Sequence, residues 1–224
     1  MVNVNDIEFK QDYPDDILGE IFIKQKELAV KYFKIEGIGI SLDKECIRNN
    51  LDSREGQKLI KDFMFRTIEE LGEAFECLDN SRNEKNLVHY LEEITDALHF
   101  FVELLIICGY ERKNFRPIRD YLVFSKIILL SRTINKRHQW NREIISQLHW
   151  DVVYCITLAG NCLKNKSWKK TQVLTDRRVF DVYILGAFIS LLCLFKVQGL
   201  GEKEIYEFYF KKNKVNQFRQ RSNY

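Results

Sequence analysis

Apolar residues recur at the helical rather than the alternating period along most of this chain. Ile21, Phe22, Leu28, Ala29 and Tyr32 share a face of a stretch that follows an Asp-Tyr-Pro-Asp-Asp turn and is broken at Gly37 and Gly39, so a first helix is predicted over 17–33. Leu59, Phe63, Ile68, Leu71, Phe75 and Leu78 form a second stripe and predict a helix over 54–78. A third helix is predicted over 87–108, closing in the apolar tract from Ala97 to Cys108. The polar loop 79–86 between them is short, which favours an antiparallel hairpin; Gly109 and Pro117 end the unit. Further helices are predicted over 119–135, 142–163, 178–197 and 202–214, with a basic loop at 164–176 that carries Trp168 among lysines. With only two prolines and ten glycines, the pattern implies an all-α fold, a helical bundle of antiparallel hairpins. The two hairpins share a plan, as an old duplication would leave.

Composition fits a packed domain. At 224 residues, 46% hydrophobic and 13% aromatic, the chain can bury a substantial core as one domain spanning 1–224. Thirty-five basic and 32 acidic residues give a net charge of +3, too balanced for a nucleic-acid footprint over the whole surface. Six cysteines, at 46, 77, 108, 155, 162 and 193, form no Cys-x-x-Cys pair and lie within hydrophobic stripes. They read as reduced core residues of a cytoplasmic protein. The polar, acidic N-terminus lacks a signal-peptide layout. The uncharged run 182–195, about 14 residues, is shorter than the roughly 18–20 that span a bilayer, so a buried core helix is expected and no membrane partner.

Against this background two acidic pairs change the picture. Glu70-Leu-Gly-Glu73 and Glu93-Ile-Thr-Asp96 each place two carboxylates on one helix face about a turn apart, and the predicted hairpin brings the pairs face to face. Solvated acidic pairs are common on helices, but here one pair leads into the apolar tract and the other lies within an apolar stripe. Partly buried acids need a partner or a metal, and no Lys or Arg lies close by in sequence on the inner faces. Four converging carboxylates suit Mg²⁺, which reaches proteins through a few carboxylates and its substrate's phosphates. His99, His89, His138 and His149 show no metal-site spacing; His99 reads as a hydrogen-bonded core residue.

Glu70-x-x-Glu73 followed by Glu93-x-x-Asp96-Ala-Leu-His-Phe100 resembles the metal motif of the all-α nucleoside triphosphate pyrophosphatases, the group that includes MazG and the dimeric dUTPases. The closing stretch from Tyr209 to Tyr224, with a Lys, an Asn, an Arg-Gln and a final Tyr, is similar to the end of the dimeric dUTPase branch in its phage and bacterial members. The resemblance covers about 25–101 and the last sixteen residues. It implies a MazG-like bundle in which Glu70, Glu73, Glu93 and Asp96 hold Mg²⁺ or Mn²⁺, with Glu70 also orienting or deprotonating the attacking water. It further implies that Phe100 stacks the base, Lys212 and Arg219 grip phosphates, Asn216 bonds the base or sugar, Tyr224 closes the pocket and Gln25 contacts the nucleoside. A homodimer and hydrolysis of dUTP to dUMP and pyrophosphate follow from the same likeness. The tail is expected to be mobile until substrate binds.

Three positions depart from the family pattern. The tryptophan-rich, lysine-flanked segment expected after the first acidic pair is missing, and Trp168 with Lys169 and Lys170 is the candidate replacement. An asparagine expected shortly after Gln25 is absent, since Leu28 and Ala29 occupy the neighbourhood, and the final Gly-Tyr is Asn223-Tyr224. All three fall on base recognition, which leaves dCTP or a broader dNTP set as the alternative substrate. In a different class, the basic run 211–221 would serve a catalytically silent protein that binds nucleic acid or a protein partner.

Overall fold

The computed structural model describes residues 7–9, 12–43, 49–79, 84–115, 142–166 and 168–222. Its helices are α1 (Ile17–Ile35), α2 (Arg54–Asp79), α3 (Glu84–Ile107), α4 (Arg142–Cys162), α5 (Arg177–Val197) and α6 (Glu202–Arg221), with a 3₁₀ turn at Arg112–Phe115. No strand occurs among the described residues, and the chain is an all-α bundle. The helix expected over 119–135 and Pro117 lie outside the described residues, as does Cys46. Cys77, Cys108, Cys155, Cys162 and Cys193 form no disulfide.

Local chemistry sets the ends. Asp16 caps α1 by accepting from the Gly19 amide at 3.0 Å. α3 stops where Gly109 turns to φ 87° and the Tyr110 amide donates to the Leu105 carbonyl at 2.9 Å, a conformation open to glycine because it lacks a Cβ. Asp176 caps α5 through the Val179 amide at 3.1 Å.

α2 and α3 pack along their length as an antiparallel pair: the Phe63 ring lies 6.2 Å from that of Phe100, and seven residues further along α2 Glu70 meets Glu93 and Asp96. α4 and α5 form the second closely packed pair. The pairs join through stacked Phe101 and Phe188, 5.7 Å apart, and through the Tyr90 hydroxyl 3.1 Å from His149 Nε2. α1 and α6 lie against each other and against α3. α5 is long and apolar enough to cross a membrane by length and composition, but most of its apolar window is buried inside the chain; Phe180, Ile184, Phe188, Leu191 and Phe195 are all core residues.

The main difference from expectation is at the C-terminus. α6 does not stop at 214 but continues through Arg221, because Tyr209, Asn213 and Val215 are buried and Gln220 Nε2 donates to the Leu28 carbonyl at 3.2 Å. The tail expected to order only on substrate binding is already a helix seated on α1.

Candidate active site

Helices α1, α2, α3 and α6 enclose a cavity of about 440 Å³, within the range of small-molecule sites. α2 contributes Phe63, Arg66 and Glu70; α3 contributes Asp96, His99, Phe100 and Glu103; α6 contributes Lys212, Asn216 and Arg219; α1 closes it with Gln25 and Tyr32. Residues far apart in sequence therefore meet because the hairpin and the α1–α6 pair share one groove.

The acids form its charged end. One carboxylate oxygen from each of Glu70, Glu93 and Asp96 lies within 4.8 Å of the others. Glu73 is exposed and outside this tight group, though its charge still reaches Glu70. Burial first, then Asp96, Glu73 and Glu93, pushes the Glu70 carboxyl from its ordinary 4.5 up to about 8. Burial also raises Glu93, with Asp96 adding to the effect and His89, 3.1 Å away, opposing it. Asp96 is raised by burial while Lys212 pulls it back. Lys212 pairs directly with Asp96, and Arg219 adds positive charge nearby. Such a partly buried, mutually repelling oxygen set fits a hard divalent cation, whose charge would offset the repulsion among the carboxylates.

Behind the acids lies an aromatic and amide-lined region. The Arg66 guanidinium sits 5.0 Å from the Phe63 ring centre, 5.8 Å from that of Phe100 and 5.7 Å from that of Tyr32. It donates to Asp62 at 3.0 Å and to the Tyr32 hydroxyl at 3.1 Å. Gln25 is only 1% exposed: its Oε1 accepts from the Tyr209 hydroxyl at 2.7 Å and lies 2.8 Å from His99 Nδ1, while its Nε2 donates to Glu103 at 2.9 Å. His99 stacks on Tyr209 with ring centres 4.1 Å apart; burial holds its pKa down to about 3. It is a core histidine, as its isolated spacing implied.

Of the residues singled out in sequence, Glu70, Asp96, Phe100, Gln25, Lys212, Asn216 and Arg219 line one cavity and Glu93 joins its acidic end. Tyr224 lies outside the described residues. Arg66 corrects the expectation that no cation close in sequence to the acids lies on the inner faces: it is one helical turn before Glu70 and shares the cavity. Glu103 was overlooked too, although a lone acid inside the tract from Ala97 to Cys108 was a visible signal.

Trp168 does not join this cavity. It is 74% exposed and lines a separate basic groove with Arg54, Lys58 and Lys61 of α2, about 13 Å or more along the helix from Glu70. Asn165 pins that loop through Gln57 at 2.8 Å and the Asp52 carbonyl at 2.7 Å. Within one chain it cannot replace the missing tryptophan-rich segment.

No curated protein and no solved structure matches the chain. A family model described as dUTPase matches residues 41–224, a span containing both acidic pairs and the whole of α6. The chain therefore belongs to the all-α dUTPase family, a family of nucleoside triphosphate pyrophosphohydrolases that act on dUTP.

Proposed function

We propose that the cavity is the active site of a Mg²⁺-dependent dUTP diphosphatase, in which Glu70, Glu93 and Asp96 hold the metal and Glu73 joins from the rim. The observation that carries this reading is the convergence of three partly buried carboxylates with Lys212 and Arg219 from the opposite end of the chain. The bound metal would supply charge neutralisation at the phosphate oxygens and polarisation of the bond to be broken. Mn²⁺ has the same ligand preferences and would substitute.

The chain's own groups supply the rest. Lys212 and Arg219 neutralise the triphosphate and, as phosphate oxygens gain charge during cleavage, stabilise that charge. Glu70, kept unprotonated by the adjacent metal charge, orients the attacking water and takes its proton. Phe100 supplies a ring for the base, Asn216 a hydrogen bond to base or sugar, and Tyr224 the closing contact. Gln25 holds the wall behind the nucleoside. Water attack releases dUMP and pyrophosphate without a covalent intermediate.

The same reading takes 1–224 as one domain, with a metal-binding hairpin at 54–108 and a substrate-closing segment at 209–224. A cytoplasmic homodimer is inferred: cysteines outside any disulfide suit a reducing compartment, and α1 exposes Ile23 and Val30 while α4 exposes Trp150 and Tyr154. Incubation with each dNTP and Mg²⁺ tests the substrate. Fastest release of dUMP and pyrophosphate from dUTP is expected; preference for dCTP or equal use of all dNTPs would move the assignment to the broader pyrophosphatases. Tight DNA binding without turnover of any dNTP would replace it with the silent nucleic-acid binder.

A further inference from the structure

Asp96, Phe100 and Glu103 lie on one face of α3 at spacings of four and seven residues. That face runs about 10 Å along the helix axis, from the acidic end of the cavity past the stacking ring. Glu103 lines the cavity wall and is 5% exposed, yet only half of its carboxyl group is engaged. Oε2 accepts from Gln25 Nε2 at 2.9 Å; Oε1 has no hydrogen-bond partner and is shielded from water. Leaving a buried carboxyl oxygen without a donor is costly. Burial pushes Glu103 up to about 7, against the opposing pull of Gln25 and Arg66. Gln25 has little capacity left, since its Oε1 already meets Tyr209 and His99. The unused capacity in this wall lies on Glu103, beside the ring on which a base would stack.

We propose that Glu103 is a specificity-determining residue whose free Oε1 accepts the N3–H of a uracil ring stacked on Phe100. Oε1 is shielded in the cavity as it stands; the terminal torsion of a glutamate side chain is broad, and turning it to present Oε1 to the base swings Oε2 as well, so the Gln25 amide follows Oε2 to keep its hydrogen bond. Uracil presents at N3 a donor flanked by two carbonyl acceptors, whereas cytosine presents a lone pair there. An acceptor that satisfies uracil therefore repels cytosine at the same point. Arg66, close to the Phe100 ring, adds positive charge for the flanking carbonyl oxygens. Thymine shares the uracil edge, so Glu103 separates imide from amino pyrimidines and does not separate uracil from thymine. Sites that hydrogen-bond a substrate N–H discriminate strongly against analogues lacking it, because the buried partner is then left unpaired.

This inference rests on dUTP as the substrate of the cavity, and the experiment separates the two claims. kcat/KM for dUTP and dCTP is measured with Mg²⁺ for the wild-type protein and Glu103→Gln, and the imino proton of ¹⁵N3-labelled dUMP is followed by NMR on the wild-type protein. The wild type should prefer dUTP, and Glu103→Gln should reduce the dUTP/dCTP ratio by about tenfold or more. Bound dUMP should show an imino proton protected from solvent exchange and shifted downfield. A wild type with no preference for dUTP overturns the substrate assignment and this role together. A wild-type preference that survives unchanged in Glu103→Gln overturns the role of Glu103 alone. Should Glu103→Gln fail to fold, an imino proton exchanging as fast as in free dUMP overturns it without the variant.

Discussion

Glu70 sits where burial and three neighbouring carboxylates act in the same direction, and its carboxyl is raised from 4.5 to about 8. In metal-free protein the folded state therefore binds a proton that the unfolded state releases above its ordinary pKa. The resulting stability is fully present below about pH 4.5 and is lost as the pH rises through about 8. Glu70→Gln removes this dependence, so in chelator it should melt higher than wild type at pH 8.5 and nearly level with it at pH 4.5. Allowing for the part of the side chain that water screens, the gain at high pH is about 1 kcal/mol, roughly 2–4 °C for a chain of this size. An identical melting difference at both pH values would show that Glu70 does not carry the excess charge. Residues like this were legible in sequence because acidic spacing within a helix is a local property. Arg66 and Glu103 were missed because their meaning comes from Tyr32, Phe100 and Gln25, which other helices or turns bring beside them.

Among the elements, the α2–α3 hairpin was readable from its apolar stripes and short loop, and its antiparallel packing brings Glu70 to Glu93 and Asp96, while Glu73 stays outside the group. α6 was readable only in part. Its sequence from Lys211 to Arg221 is polar and basic, with no stripe to mark a helix, and tertiary contacts hold it instead: the Tyr209 hydroxyl donates to Gln25 at 2.7 Å and Gln220 donates to the Leu28 carbonyl at 3.2 Å. Deleting residues 213–224 should consequently lower thermal stability as well as turnover. Losing the buried Val215 side chain and its neighbours' contacts costs about 1–3 kcal/mol, while losing Asn216 and Arg219 should lower kcat/KM for dUTP about tenfold or more. Melting curves and steady-state kinetics on the truncated protein check both, and an unchanged melting temperature would mean that α6 is not fixed against α1.

At the scale of the whole molecule, charge and packing divide the labour: α4 and α5 bury an apolar wall behind α3, leaving the opposite side of α3 free to build the cavity with α1, α2 and α6. The exposed apolar residues on α1 and α4, including Trp150 and Tyr154 stacked 6.2 Å apart, predict association in solution. Sedimentation equilibrium should give about twice the 26.8 kDa of one chain; the mass of a single chain would contradict the homodimer. The central claim, that the converging acids are the metal site of dUTP hydrolysis, is tested most directly by measuring dUTP turnover with Mg²⁺ in Asp96→Asn alongside its circular dichroism. Loss of about a hundredfold or more in kcat with helical content preserved is the predicted result, and near-normal turnover by the folded variant would contradict the account.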